Sequence, residues 1–198
     1  KFLTPLLEYS PKNVEAQCLG FEVISEEVSI LAVAKCNTFA NFIIDKYALA
    51  LKCLKAAHAI DASNPTLHTQ LVRFRKALDS LPEPLPSQVA DVVNAEFDIL
   101  LPKNQNLSEW NDSFLSANKG SIPHEQAVLT CRQLLDPSSK SQCEKELAST
   151  LDSNMATIEN GLAGLKLLDD WGSDQAAKMA YAQKASNKWN ESSVFQLS

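Results

Sequence analysis

Apolar side chains recur at helical spacing along most of this chain, and this period constrains the fold more than any other feature. Residues three or four apart share one face of a helix, so each apolar stripe predicts a helix with one buried face. The stripes are Val14, Cys18 and Phe21; Leu67, Leu71, Phe74 and Leu78; Val89, Val92, Val93, Phe97 and Leu100; Ala127, Val128, Cys131, Leu134 and Leu135; and Ile158, Leu162, Leu165 and Leu168. A last helix is predicted from Asp174 to Trp189. The sequence therefore predicts an all-α fold.

Short polar turns separate these helices, for example at Asn64-Pro65 and Asp136-Pro137. Only five of the 198 residues are glycine, which argues against tight β-hairpins and glycine-lined phosphate loops. Helices joined by short turns indicate antiparallel helix pairs in a solenoid or bundle. We expect a first helical segment over residues 1–80 and a C-terminal helical bundle over 81–198, with the boundary in the proline-rich stretch 81–86.

The stretch YALALKCLKAAHAIDASNP, residues 47–65, resembles the second helix and closing turn of a tetratricopeptide repeat. In this pattern small side chains let the neighbouring helix approach closely, and larger ones fill the groove beside it. Gly20 occupies the close-contact position of a first helix upstream. The residues predicted to pack in this repeat are Gly20, Tyr47, Ala50, Leu54 and Ala57.

The aromatic residue of the second helix comes later in the chain than a regular repeat requires. A regular repeat would place it at Ser29, whereas it occurs at Tyr47. We therefore interpret residues 29–46 as an insertion. Its apolar residues predict an extra helix, with Val28, Leu31, Phe39 and Phe42 on one face.

Charge and cysteine content exclude several classes of protein. The net charge of −6 argues against direct binding of nucleic acid, and the densest basic group, Arg73, Arg75 and Lys76, is interpreted as a solvated face. The five cysteines show no CxxC spacing, which predicts free thiols in a reducing, cytoplasmic setting. No apolar run has membrane-spanning length. The start at Lys1 predicts a fragment of a longer protein.

No group of residues has the spacing of a catalytic, cofactor or metal site. Cys53 and His58 are five residues apart and do not share a helix face. His124-Glu125 stands alone at a helix start, and Asp169, Asp170 and Asp174 are explained by a helix end followed by an N-cap at Ser173 or Asp174. We predict no catalytic residue, no cofactor and no metal. Gly161 and Gly164 are interpreted as marks of close helix packing.

The tryptophans leave two interpretations open. Trp110 lies within the stretch LSEWNDSFL and is interpreted as core. Trp171 lies at a turn between helices and Trp189 lies near the end of the chain, so each is a candidate partner contact. Plain packing is the alternative for both.

Several stretches in a fixed order carry a resemblance to a known family. They are KFLTPL at 1–6, KAAHAIDASNPTLH at 55–68, WNDSFLSANKGSIPHEQA at 110–127 and LLDPSSKSQCEKELASTLD at 134–152. Together they resemble the C-terminal part of the auxiliary, ribosome-anchoring subunit of the N-terminal acetyltransferase A complex. No single motif is diagnostic; their order and spacing carry the resemblance.

The resemblance implies a tetratricopeptide-type scaffold that supports a catalytic subunit of the GNAT fold and holds the complex at the ribosome. It also implies docking of further small regulatory subunits and a cytoplasmic location. Fungal members bind an inositol phosphate in a basic pocket, but no basic cluster in this sequence matches that pocket. The catalytic site belongs to the partner, so no catalytic residue is carried over to this chain.

Two other functions remain open from the sequence. One is a generic helical-repeat module that mediates protein–protein interaction in another cytosolic assembly. The other is a helical enzyme that uses His124 or the carboxylates from Asp169 to Asp174.

Overall fold

The structure, a computed structural model, describes residues 10–33, 40–80 and 87–190. These residues form nine α-helices and one 3-10 turn at Pro137–Ser139, and they contain no β-strand. The helices are α1 (Val14–Val33), α2 (Ala40–Ile60), α3 (Pro65–Asp79), α4 (Ser87–Asp98), α5 (Leu107–Ala117), α6 (Ile122–Leu135), α7 (Lys140–Thr150), α8 (Ile158–Asp170) and α9 (Gln175–Lys188). The predicted all-α class is confirmed. Within the described ranges, no helix combines the length and apolar character needed to cross a membrane.

The chain forms two compact units, and the first, Lys1–Gln105, contains α1 to α4. α1 packs against α2, with Cys18 near the start of α1 close to Cys53 in the later part of α2, so the two helices run antiparallel. Phe74 on α3 is the centre of the core. Its ring centroid lies 6.1 Å from that of Phe21, 5.9 Å from that of Tyr47 and 4.9 Å from that of Phe97. Four helices are thus joined through one aromatic cluster.

The turn between α2 and α3 forms as predicted because its side chains satisfy the free amides of the helix start. The Asp61 carboxylate accepts hydrogen bonds from the backbone N–H and the hydroxyl of Ser63, at 2.9 and 2.7 Å. The Asn64 side chain caps α3 by accepting from the N–H groups of Thr66 and Leu67, at 3.0 and 3.1 Å. Pro65 follows at the first helical position, where its missing N–H is not needed.

The second unit, Asn106–Ser198, contains α5 to α9. Its core cluster consists of Leu129, Cys143, Leu147, Leu151, Leu168, Trp171, Tyr181 and Ala185. Polar side chains join the helices around this core. Asn111 on α5 donates to the carbonyl of Val128 on α6, at 3.0 Å, and Gln126 on α6 donates to the carbonyl of Asn160 on α8, at 2.9 Å. The buried amides are therefore used to fix helix pairs in register.

The turn between α8 and α9 also follows its sequence signals. Gly172 has φ = +61°, the left-handed conformation that favours glycine after a helix end. The carboxylate of Asp174 accepts from the backbone N–H of Ala177 at 2.7 Å and caps α9. The prediction of an N-cap at Asp174, followed by a last helix to about Trp189, is confirmed.

Two residues of the predicted apolar stripes lie outside the core. Val92 on α4 is 62% exposed and Leu162 on α8 is 42% exposed, so the expectation that they face the core is wrong. Adjacent helix residues point about 100° apart, and burial of Val93 therefore turns Val92 outward. Among residues 89–98 of α4, whose burial the structure describes, only Val93 and Phe97 are buried.

The segment predicted to be an insertion belongs to two long helices in its described parts. Residues 29–33 continue α1, and residues 40–46 begin α2, which differs from the extra helix that we expected. Residues 34–39 lie outside the described residues, and so does Phe39. The interpretation of 29–46 as an insertion into a repeat stays a prediction. The expected boundary in 81–86 also lies outside the described residues, and α4 belongs to the first unit.

Candidate functional site

The face of α2 that was expected to pack a repeat is buried. Tyr47, Ala50, Leu54 and Ala57 are spaced three, four and three residues apart, which places them on one face, and each is buried. Gly20 on α1 is buried as well. The two alanines present little bulk on this face, and Tyr47 packs against Phe74. This burial is what the repeat interpretation requires, while the repeat register itself stays a prediction.

Two buried thiols lie next to this face and have little nucleophilic character. Burial raises the pKa of Cys18 to about 12, with Glu22 and Glu15 adding to the effect. Burial also raises the pKa of Cys53 to about 11. Because the thiolate is the nucleophile and the metal ligand, both thiols are in their unreactive form at neutral pH.

The histidines have structural surroundings. His68 is buried in α3, and His58 on α2 is half-buried. The Nδ1 atom of His124 shares a hydrogen bond of 2.6 Å with the hydroxyl of Ser121, the residue that precedes α6. The ring of His124 packs against Phe114, with 5.3 Å between centroids. The Ser121 side chain makes no capping hydrogen bond to the backbone of α6, and the His124 ring joins the first turn of α6 to α5 through its contact with Phe114.

The three carboxylates of the enzyme alternative have separate structural partners. Asp169 forms an ion pair with Lys178, and Asp170 forms one with Lys166 at 2.8 Å. Asp174 caps α9. The first contact joins α8 to α9, the second lies within α8 and the third caps α9. Each carboxylate therefore has its own structural partner, and the structure does not bring them together as an acid–base pair.

The basic group on α3 is divided between surface and interior. Arg73 and Lys76 are exposed, as expected for a solvated face. Arg75 is 5% exposed, and its guanidinium donates to the carbonyl of Leu101 at 2.5 Å and to Asp98 at 3.1 Å. Its central carbon also lies 4.7 Å from the ring centroid of Phe97. The expectation of one solvated face is therefore wrong for Arg75, which fastens the end of α4 to α3.

The two candidate partner contacts differ in burial. Trp171 is 8% exposed and belongs to the core cluster of the second unit, so the packing alternative accounts for its ring. Trp189 is half-buried against the same cluster, with the ammonium of Lys188 5.6 Å from its ring centroid. Trp110 on α5 is half-buried. Contact of Trp171 or Trp189 with a partner stays a prediction.

A groove on the first unit escaped the sequence analysis. It has a volume of about 220 Å³ and is lined by Glu15, Cys18, Leu19, Glu22, Asn64 and Thr66. Leu19 is 49% exposed although it lies in an otherwise packed pair of helices. The one available signal was the spacing of Glu15, Leu19 and Glu22, which places them on one face of α1. Among the described residues, no group of three His, Cys, Asp or Glu side chains has the arrangement of a metal site.

Sequence comparison with known proteins identifies relatives of this chain. The chain is 30% identical over 149 residues to N-alpha-acetyltransferase 16, NatA auxiliary subunit, of Mus musculus, covering 75% of this chain and 15% of that protein. The human protein of the same name gives 30% identity over 148 residues, with the same coverage. The auxiliary subunit of the N-terminal acetyltransferase A complex of Arabidopsis thaliana gives 28% identity over 163 residues, 80% of this chain and 16% of that protein. The chain is homologous to a segment of NatA auxiliary subunits.

This similarity confirms the resemblance to NatA auxiliary subunits that the four stretches at 1–6, 55–68, 110–127 and 134–152 indicated. No protein-family model matches the chain. The chain spans about 15% of the length of the NatA auxiliary subunits that it matches. Their names describe auxiliary subunits, in agreement with the prediction that catalysis belongs to another chain.

Proposed function

We propose that this chain is a non-catalytic scaffold segment of the auxiliary subunit of a co-translational N-terminal acetyltransferase. The observation that carries the proposal is 28–30% identity to auxiliary subunits over 75–80% of the chain. The segment lies in the C-terminal part of the longer protein, in the cytoplasm, and supports a GNAT-fold catalytic subunit. The intact protein holds the complex at the ribosome and docks further small regulatory subunits.

The physical basis of this scaffold role is the use of side chains for helix packing. In α2 the residues Tyr47, Ala50, Leu54 and Ala57 are buried, which fits a face that stacks helix against helix. The carboxylate of Asp169 and the guanidinium of Arg75 each hold one helix to a neighbouring part of the chain. Asp174 caps α9, and Asp170 forms an ion pair with Lys166 within α8. Such a segment contributes shape and stiffness, and the acetyl-CoA site lies in the catalytic partner.

Co-purification with the catalytic subunit tests the proposal. The intact protein and its catalytic subunit are expressed together, and recovery of the subunit and acetylation of a peptide N-terminus are measured. We expect Leu54→Asp, which places a charge on the buried face, to reduce recovery of the complex strongly. Lys52→Asp, at an exposed position on the same helix, is the matched control and leaves recovery unchanged.

Two results would contradict the proposal. The first is acetylation of peptides by the purified 198-residue chain alone, because a scaffold segment carries no acetyltransferase activity. The second is recovery of the intact protein from cytosol with stable partners but without any acetyltransferase, which would favour the generic interaction module.

A further inference from the structure

We propose that the groove beside α1 binds a basic helical segment of a partner protein, through apolar contact with Leu19 and ion pairs with Glu15 and Glu22. This inference goes beyond the scaffold role and does not depend on it, because it is drawn from the groove alone.

The groove combines an apolar centre with an acidic rim. Leu19 is half exposed between Glu15, four residues before it, and Glu22, three residues after it, on the same face of α1. The opposite wall consists of Asn64 and Thr66, at the start of α3. A leucine kept in water between two carboxylates is unfavourable for the free chain, and a covering side chain would remove that apolar surface from water.

The carboxylates on this rim are available to a cation. Within the described part of the chain, the carboxylates of Glu15 and Glu22 form no ion pair and accept no hydrogen bond, whereas Glu96 and Asp98 in the same unit each have a basic partner. Both rim carboxylates can therefore pair with a cation from another molecule.

The carboxylates of Glu15 and Glu22 make the electrostatic potential at the rim of the groove negative. Glu22, Glu15 and Asp61 all raise the pKa of the Cys18 thiol, in addition to the effect of burial. The C-terminal end of α2, which directly precedes Asp61, contributes the negative end of its helix dipole, whereas the starts of α1 and α3 contribute positive ends beside Glu15 and Asn64. Basic side chains would be attracted to the carboxylates of Glu15 and Glu22.

The spacing of the three residues favours a helix as the ligand. Arginine and lysine bury their aliphatic stems along apolar surface while their charged ends reach carboxylates. Two basic residues about seven positions apart, with a leucine between them, would match Glu15, Leu19 and Glu22 across two helix turns. A partner helix of this pattern pairs both carboxylates and covers the exposed leucine.

The test uses the 198-residue chain and a fluorescein-labelled, amidated helical peptide, about four turns long, with the pattern Arg-x-x-x-Leu-x-x-Arg. Fluorescence anisotropy should show saturable binding that weakens with added salt. We expect the double change Glu15→Gln and Glu22→Gln to weaken binding about tenfold. Leu19→Ala should weaken it several-fold. These are surface substitutions, so circular dichroism should show unchanged helix content.

The matched control removes two exposed carboxylates elsewhere in the first unit, Asp45→Asn together with Asp91→Asn. It changes the net charge equally and should leave binding unchanged. The proposal is overturned if the control weakens binding as much as the groove variant, if a peptide with glutamate in place of arginine binds equally well, or if no saturable binding occurs. Binding to the 198-residue chain but not to the intact longer protein would also overturn it, since a neighbouring segment of the same chain would then fill the groove.

Discussion

The hydroxyl of Tyr181 on α9 lies against the Cα of Gly164 on α8, in space that any larger residue at position 164 would need. A β-carbon placed on Gly164 would overlap the Tyr181 hydroxyl and would lie 2.6 Å from Cζ of the same ring. The sequence indicated close packing at this glycine, and the contact confirms it. The pair sets how closely α8 and α9 approach in the second unit.

Replacement of Gly164 should therefore destabilise the chain. Gly164→Ala forces the Tyr181 ring to move, and overpacking of this kind costs about 1–3 kcal/mol. The gain in helix propensity returns about 1 kcal/mol. We expect a net loss of about 0–2 kcal/mol in the free energy of unfolding, measured by urea denaturation.

The same experiment in a Tyr181→Phe background tests the cause. Removal of the hydroxyl takes away the nearest overlapping atom, so Gly164→Ala should cost about 0.5–1 kcal/mol less there than in the wild type. Additive effects of the two changes would show that the contact does not limit the packing of α8 on α9.

Tyr181 should also make stability depend on alkaline pH. Burial raises the pKa of its phenol from 10.0 to about 12. The folded state therefore holds this proton more tightly than the unfolded state. The contribution to stability is fully present below pH 10, the unfolded value, and is lost as the pH rises through about 12. The expected loss is about 2–3 kcal/mol across this window.

The free energy of unfolding of the wild type and of Tyr181→Phe is measured by urea denaturation from neutral pH up to about pH 12. The buried thiols of Cys18 and Cys53 titrate in the same direction, and they are common to both proteins. The difference between the two stability curves therefore isolates the phenol. A constant difference across the alkaline range would contradict the prediction.

Arg75 should be far more sensitive to substitution than its neighbour Arg73. Arg75→Ala leaves the buried carbonyl of Leu101 without its donor and removes the stacking on Phe97. We expect a loss of about 2–4 kcal/mol, because an unpaired buried polar group remains. Arg73→Ala, at an exposed position on the same helix, should change stability by less than about 0.5 kcal/mol. Equal losses of stability for the two variants in thermal denaturation would contradict the prediction. They would show that Arg75 stabilises the fold through its charge alone and not through its contacts with Leu101 and Phe97.

The thiols of Cys18 and Cys53 should resist alkylation in the folded chain. Their raised pKa values leave little thiolate at pH 8, and both side chains are buried. We expect iodoacetamide to label both residues at least about tenfold more slowly in buffer than in urea, as followed by peptide mass spectrometry. Rapid labelling of Cys18 in buffer would mean that α1 opens from α2 under native conditions.

Most helices could be predicted from local sequence because their determinants are local. The apolar period predicts α3 and α8, and Asn64 and Asp174 cap the helices that they precede. The long extent of α1 and α2 was missed, since the residues between Gly20 and Tyr47 carry an apolar pattern that also fits a separate helix. The period alone does not say where one helix stops and another begins.

Which face of each helix is buried depends on the helices that pack against it. These neighbours are distant in the sequence, so local sequence does not predict them. A stripe wide enough to include Val92 was expected to be buried, but of residues 89–98 of α4 only Val93 and Phe97 are buried. Arg75 was expected to be part of a solvated face, yet its side chain is buried. Its guanidinium donates to the carbonyl of Leu101 and to Asp98, which are distant from it in the sequence. The groove at Leu19 likewise exists only because the start of α3 approaches α1.

The sequence by itself determined that this chain is helical, where most helices lie and to which subunits it is related. Helix period, capping residues and ordered motifs are all local features of the amino-acid sequence. The tertiary structure decided which faces are covered, how Gly164 receives Tyr181 and why Leu19 remains in water. Burial is a property of contacts between residues far apart in sequence, and a periodic pattern marks a face without naming the partner that covers it.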